Sequence, residues 1–451
     1  VSAAGKADAA DLSSATGFEW PAQPLTEVLV MLAKIKKQKN PAAGIPRATL
    51  VNLKRVLQLD ARIGKRILRD EFADVIWVGE VELFDSLEFE ISVWLASVYK
   101  LFVSPAQVHT VLIAHAFRNG FDPLKEYLTE VEWDGEARIE TALTDFLSVE
   151  DTPLNRQLSR LFFIGAAARG LEPACKLDTV LNLVGLKGLG KSKSLAALCP
   201  NPRWFSDTQI DLNSKDRFQD IQGVWLHEFS ELDSMSRAGM ARVKGFVTSQ
   251  WDRYRPSYGR NSVNRPRRTV FVGSTNERMF LSDDAGNRRF WPVVVGECRW
   301  RQLEDLRDQL WAEAVVAVRA GVEWYLSPEY AQQLTVVSED FRPVDSWEER
   351  IVGWLRREPK PFRVTDMLLD ILGKDARIAR ADENRAGKVL VRLGFESRSR
   401  TWNGEIRHRR WVWTGKGSAG PVDQAPWERV NVSDDERTRP RRPSPPLRTK
   451  A

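Results

Sequence analysis

Eight residues, Gly185-Leu186-Lys187-Gly188-Leu189-Gly190-Lys191-Ser192, constrain this chain more than any other stretch. They match G-x-x-x-x-G-K-[ST] in full, and their flanks give the match its meaning. The apolar run Val180–Val184 leads in and reads as a buried strand, and the helix-forming run Ser194–Leu198 leads out. A glycine-bearing bend between strand and helix lets successive backbone N–H groups point into one concavity, where they hold phosphate oxygens at the positive end of the helix. On this reading Lys191 reaches the β and γ phosphates of a nucleoside triphosphate and the Ser192 hydroxyl ligates Mg²⁺. Gly185, Gly188, Leu189, Gly190 and Lys193 complete the expected phosphate-binding set.

Such a loop needs an acid opposite it to hold the metal and activate water. Gly223-Val224-Trp225-Leu226-His227-Glu228 supplies a short apolar strand ending in a carboxylate, with Glu231 and Asp233 following. Glu228 is expected to be the acid at the strand tip and a ligand of Mg²⁺. Glu231 is either a water activator or a first-turn carboxylate facing a helix dipole, and His227 reads as a packed strand residue. A further strand, Thr269–Gly273, ends in Ser274-Thr275-Asn276, where the Asn276 amide either orients the attacking water or closes a turn. In Asp284-Ala285-Gly286-Asn287-Arg288-Arg289-Phe290-Trp291-Pro292, two arginines sit in a tight turn before a strand. Arg288 or Arg289 is expected to meet the γ-phosphate of a neighbouring subunit, the alternative being a salt bridge to Asp283 or Asp284.

The chain has 451 residues, of which 43% are hydrophobic and 28% charged. That length suits about three domains, or two with tails, and the apolar content excludes wholesale disorder. No run approaches the length needed to cross a bilayer, and no signal-like segment opens the chain. Three cysteines without a C-x-x-C pair point to a reducing compartment and no zinc site, so the expected location is cytoplasmic. The pattern divides the chain into a disordered lead-in (1–24), a mainly helical domain (25–154), a parallel α/β domain (155–330), a winged-helix-like domain (345–414) and a basic, Pro-rich disordered tail (415–451). In the helical domain Leu25, Val28, Leu29, Leu32 and Ile35 share one face, as do Val108, Val111, Leu112 and Ala116. The α/β domain is carried by short strands at 179–184, 224–226, 269–273 and 290–295. The winged helix is read from helices at 347–356, 364–372 and 384–393, followed by a hairpin around Asn403-Gly404.

A formal net charge of +6 hides a sharper distribution. Residues 251–270 hold six arginines and one acid, residues 398–410 five arginines and one acid, and the tail after Glu436 six basic residues and no acid. The remainder of the chain is acidic. Clustered arginine on an acidic body points to a polyanionic partner, with solvated surface charge as the bland alternative. Arg253, Arg255, Tyr258 and Arg260 read as contacts to DNA phosphates and bases, or as subunit contacts or a phosphate sensor. Arg385 and Lys388 are expected in a major groove, and Arg398, Arg400, Arg407, Arg409 and Arg410 of the wing on the DNA backbone.

Several further motifs occur in a fixed order: Pro123–Leu128, Trp133-Asp134-Gly135 with Arg138, Cys175–Asp178, the glycine loop, Glu228 with Glu231-Leu232, Lys244, Asp252–Arg255 with Tyr258–Arg260, Thr275-Asn276 and Gly286–Pro292. From Phe121 to Val295 the chain thereby resembles the virulence-associated protein E family, a group of phage and mobile-element replication ATPases related to superfamily 3 helicases and so to the AAA+ class. The resemblance implies an AAA+-like P-loop NTPase core, ATP hydrolysis with Mg²⁺, and a DNA helicase or translocase role in replicating a phage, plasmid or island. It implies as partners DNA, single-stranded or duplex, other copies in a ring such as a hexamer, and a separate primase or phage replication protein. Lys187, Ala174 and Ser274 depart from the family's usual residues, none of them a catalytic group. The absence of a zinc-ligand cluster and the short stretch before the loop argue against primer synthesis. The alternative is a nucleotide-gated DNA-binding or interference protein that hydrolyses ATP without unwinding.

Overall fold

The longest apolar run, Leu161–Ala168, has no polar face to offer water, so a helix made from it must be enclosed. In the computed structural model of the protein, which describes residues 12–17, 19–33, 48–230, 237–255, 261–281, 287–342, 345–357, 362–373, 376–400 and 408–413, this run is the middle of helix Pro153–Leu171. Thr152 caps the helix by accepting from the Asn155 N–H at 3.1 Å, and Pro153 takes the first position, where its missing N–H costs nothing. Helix Trp300–Arg319 packs along it. Between them the Trp225 and Trp311 rings lie 4.4 Å apart, and each indole N–H is satisfied, by the Ala166 carbonyl at 3.2 Å and the Leu198 carbonyl at 2.8 Å.

The chain divides into two compact units, Val1–Arg342 and Pro343–Ala451. The first begins with helices and a small sheet of four strands: β1 (Ile67–Asp70), β2 (Val75–Val78), β3 (Val81–Glu82) and β4 (Gly120–Phe121), in the order β3-β2-β1-β4. These strands were not anticipated, because runs of two to four residues are too short to show alternation. The Val108, Val111, Leu112 and Ala116 stripe is buried on helix Pro105–Ala116, which Ser104 and Gln107 start with a capping box. The disordered lead-in is corrected over the described part of residues 12–24. Leu12, Thr16 and Trp20 are buried there; the Trp20 ring meets Trp94 edge-on at 4.7 Å and its N–H donates to the Thr16 hydroxyl at 2.6 Å. A single buried turn gives no periodic signal. The apolar cores also place the divide nearer residue 120 than 154, since Leu124, Leu128 and Ile139 join the α/β core while the N-terminal core ends at Ala116.

The α/β core is a parallel five-stranded sheet made from β5 (Val180–Val184), β6 (Phe205–Ser206), β7 (Leu226–Ser230), β10 (Val270–Thr275) and β11 (Phe290–Val294), in the order β11-β5-β10-β7-β6. A separate two-stranded antiparallel ribbon, β8 (Trp251–Tyr254) and β9 (Val263–Pro266), lies between β7 and β10 in sequence. Along β5 the side chains alternate between two cores: Leu181 and Leu183 join helices Pro153–Leu171 and Trp300–Arg319, whereas Val180 and Val184 join Phe271, Phe290 and helix Arg237–Thr248. The sheet is therefore covered on both faces, which is why its strands read as continuous apolar runs. Pro292 is accommodated because β11 is an edge strand. The strand expected at 224–226 instead runs Leu226–Ser230, and Val224 and Trp225 lead into it. Among the described residues no helix is long and apolar enough to cross a membrane.

In the second unit, helices Glu348–Leu355, Val364–Leu372 and Arg380–Arg392 precede the antiparallel pair β12 (Phe395–Arg400) and β13 (His408–Trp413). Ile351, Leu355, Met367, Leu368, Ala386, Leu390 and Phe395 close its core, and a backbone bridge joins Phe362 to Trp411. The expected turn at Asn403-Gly404 and the tail 415–451 lie outside the described residues.

The arginine-rich stretch 251–270 does not form one exposed patch. Arg267 is buried, its guanidinium donating to the Asp252 carboxylate at 2.5 and 2.9 Å and also to the Phe246 carbonyl. Arg268 pairs with Asp122 at 2.6 Å, and Arg265 pairs with Asp74 at 2.5 Å. Half of the six arginines thus fasten the ribbon and the start of β10 to their surroundings. Removing one partner of a buried ion pair strands the other charge, so Arg267→Ala is expected to destabilise the first unit by about 3–5 kcal/mol. Urea unfolding measures this, and a loss well under about 1 kcal/mol, the range of exposed pairs, would contradict the assignment.

Candidate functional site

The glycine loop starts where β5 ends, and its shape follows from its glycines. Gly188 and Gly190 have φ of 90° and 92°, a region that other residues rarely enter. At Gly185 the constraint is space: a Cβ there would stand 2.9 Å from the Val295 carbonyl oxygen. The loop is held from below by Cys298, whose N–H donates to the Leu189 carbonyl at 3.1 Å. Helix Lys191–Ala197 follows directly.

Lys191 is buried with its ammonium folded over the loop. It donates to the carbonyls of Gly185 at 2.7 Å and Leu186 at 2.9 Å, and to the Asn276 side-chain oxygen at 3.0 Å. Three donors meet three acceptors, so an arriving anion would be exchanged for one of these bonds. Burial lowers the pKa of the ammonium, opposed by Cys298 and Glu228. Beside it the Ser192 hydroxyl donates to Glu228 Oε1 at 2.8 Å. Glu228 is 1% exposed, and its other oxygen, Oε2, has no hydrogen-bond partner. Burial pushes this carboxyl up from the ordinary glutamate range, while Ser274, Ser192 and Lys191 favour its charged form.

Sheet order explains how residues far apart in sequence meet. β10 lies between β5 and β7, with Thr275 opposite Val184 and Val272 opposite Glu228. The chain leaving β10 therefore carries Asn276 past the glycine loop, and Glu228 faces the first turn of helix Lys191–Ala197. Lys191, Ser192, Glu228 and Asn276 come together, with Glu228 not at the tip of β7 as expected but in its middle, two residues before Ser230. Lys193 is exposed, its ammonium 5.5 Å from the Trp300 ring centroid. Sequence reasoning missed two residues here, Ser274 and Cys298. Ser274 was noted only as a departure from the family's usual residue ahead of Asn276, and Cys298 has no motif at all.

A buried ammonium over a glycine bend and a hydroxyl beside a buried, half-unpartnered carboxylate suit a phosphate and a hard divalent cation. Backbone N–H groups and Lys191 would hold the anion; Ser192 and Glu228 offer the oxygen ligands such a cation prefers.

The remaining expected residues lie elsewhere. Arg289 pairs with Asp178 at 3.6 Å, and Arg288 is exposed. Both precede β11, whose first residue is opposite Val180, the start of β5. Along five residues of β5, at roughly 3.3 Å each, they are about 15 Å from the loop of their own chain. Arg253 and Arg255 are exposed on the ribbon, whereas Tyr258, Arg260, Glu231 and Arg407 lie outside the described residues. In the second unit Arg385 makes a bidentate pair with Asp345 at 2.8 and 2.9 Å and lies 4.3 Å over the Trp347 ring, so its fork is already engaged. Lys388 is exposed on the same helix. Arg398 is opposite Arg410, with Arg409 and Arg400 also on the paired strands.

Residues 128–343 match the family model described as the virulence-associated protein E-like domain. No curated protein sequence matches the chain. Among solved structures, an apo structure of the NrS-1 C-terminal region is similar at 13% identity with a TM-score of 0.41, covering 64% of this chain and 78% of that one. An A-form apo structure of the same region gives 13% and 0.40 over the same shares.

His227, next to the carboxylate, points to the other side of β7. Its ring meets Phe229 at 5.2 Å and Phe271 at 6.0 Å, neither ring nitrogen has a hydrogen-bond partner, and burial pulls its pKa from 6.5 to about 4. A depressed folded value means that the stability tied to neutral His227 is complete above 6.5 and is lost as pH falls toward 4. Between about pH 7.5 and about pH 5 this group alone is expected to remove about 2 kcal/mol. Urea unfolding at the two pH values checks this: His227→Phe should flatten the loss, and an unchanged pH slope would contradict it.

Proposed function

We propose that this chain, which carries a virulence-associated protein E-like domain over residues 128–343, is a Mg²⁺-dependent ATPase of the AAA+ kind that works on DNA during replication of a mobile element. The observation that carries the reading is the Ser192 hydroxyl on the buried Glu228 carboxylate at 2.8 Å, with Lys191 beside it over the glycine bend. Lys191 would bind the terminal phosphates, the loop N–H groups would orient them, and Ser192 with Glu228 would hold the metal. When bound, Mg²⁺ supplies positive charge against the phosphoryl oxygens. Glu228, kept from water and short of one hydrogen-bond partner, is suited to take up a proton or a ligand at Oε2. Asn276, already bonded to Lys191, would position that ammonium and the water beside it.

DNA translocation is the reading we favour for the energy released. The family match supports a replication role, and the exposed Arg253 and Arg255 support contact with phosphates. Three helices followed by an antiparallel strand pair support a winged-helix reading of the second unit, with Lys388 toward a groove and β12 and β13 along the backbone. One observation favours the rival, a nucleotide-gated DNA-binding protein that unwinds nothing: Arg265, Arg267 and Arg268 are spent on internal pairs, which leaves a smaller basic surface. Turnover with and without single-stranded DNA separates the two. A motor is expected to be stimulated by DNA, and Lys191→Ala, which removes a charge-assisted hydrogen bond of about 1.5–3 kcal/mol, should cut turnover by at least about tenfold. Hydrolysis indifferent to any DNA would leave only the rival.

The distance of Arg288 and Arg289 from their own loop gives the site a second requirement. Any role at the γ-phosphate must be played in a neighbouring copy, as in a ring. Arg289→Ala is expected to lose hydrolysis and keep nucleotide binding, and mixing it with Glu228→Gln should restore part of the activity. Mixtures as inactive as either variant alone would remove the interface model.

A further inference from the structure

β6 is the shortest strand of the sheet, two residues at its edge, yet it ends beside the buried carboxylate. It pairs with β7 in parallel, Phe205 opposite Leu226 and Ser206 opposite His227. Asp207 follows directly after the end of β6, and carrying the register one residue further would set it opposite Glu228. Side chains opposite one another on parallel strands share a face, with the strands about 4.8 Å apart. The surrounding core agrees on which face it is. Phe205, Leu226 and Leu195 of helix Lys191–Ala197 all belong to the same apolar cluster, while His227 and Phe229 turn to the opposite side with Phe271. Continued alternation past Ser206 would put Asp207 on the side from which Ser192 reaches Glu228. It is exposed to solvent there.

Resting on the nucleotide-site reading above, we propose that Asp207 is a second carboxylate of the divalent-cation site, facing Glu228 across the β6–β7 register. One feature beyond the pair of acids points to a cation: Glu228 Oε2 is buried and unpartnered. β7 itself contributes one carboxylate here, and the neighbouring strand contributes the other. A hard cation bound together with phosphates takes one or two protein carboxylates. The usual companion of such an acid would follow it in sequence, whereas this one comes from the adjacent strand.

The test is the linkage between metal and nucleotide in the full chain. Affinity for ADP is measured by calorimetry in EDTA and in Mn²⁺, for the wild type, Asp207→Asn and Asp207→Ser. In the wild type Mn²⁺ is expected to tighten ADP by at least about tenfold, the span of a typical coupling. Both variants should keep the EDTA affinity within about twofold and lose most of the Mn²⁺ enhancement, by about fivefold or more. A variant enhancement equal to the wild type overturns the proposal and leaves the nucleotide site standing. Equal losses in EDTA and Mn²⁺ also overturn it, since they assign Asp207 to the loop's shape. A wild type that binds no ADP under either condition removes the underlying site and the proposal with it.

Discussion

One hydrogen bond holds the candidate site together, that of the Ser192 hydroxyl to the Glu228 carboxylate. A carboxylate this enclosed is costly unless its oxygens are used, and only one of them is. The charge is tolerated because Lys191 is near and two serine hydroxyls face it, yet burial still raises its pKa. Such an incompletely satisfied group is a local conflict in a well-packed core. Conflicts of this kind are found where a protein gives up stability for a site.

The sheet makes the conflict possible. If β7 lay directly beside β5, Glu228 would be adjacent to the loop strand and nothing would bring Asn276 to Lys191. With β10 interposed, the bend after β5, the amide after β10 and the acid inside β7 are brought to one place. The other end of the sheet does a different task. Arg268 with Asp122 and Arg265 with Asp74 tie the ribbon and the start of β10 to the N-terminal elements, and Arg267 with Asp252 ties the ribbon to itself.

Much of the site could be read from the sequence because its signals are local. The glycine loop carries its own flanking strand and helix, and Glu228 and Asn276 each close an apolar run. What escaped reading depends on pairing between distant segments. The proposed role of Asp207 follows from a strand of two residues, too short for any pattern, and from the register of that strand with β7. The arginines of 251–270 look alike in sequence, and only tertiary contacts separate the exposed Arg253 from the buried Arg267. Arg385 was read as a groove contact because it lies on a basic helix, but Asp345, forty residues earlier, is its partner. The four short N-terminal strands and the buried turn at Leu12–Thr16 escaped for lack of length. Charge counts locate a basic segment; they do not say which of its charges remain free.

The central claim is that Lys191, Ser192 and Glu228 form a site for a metal-bound nucleoside triphosphate. Isothermal calorimetry of the whole chain with a non-hydrolysable ATP analogue in Mg²⁺ tests it without relying on turnover, DNA or assembly. The account predicts saturable binding that Ser192→Ala weakens more in Mg²⁺ than in EDTA. Absence of measurable heat with Mg²⁺ present, from folded protein, would contradict it.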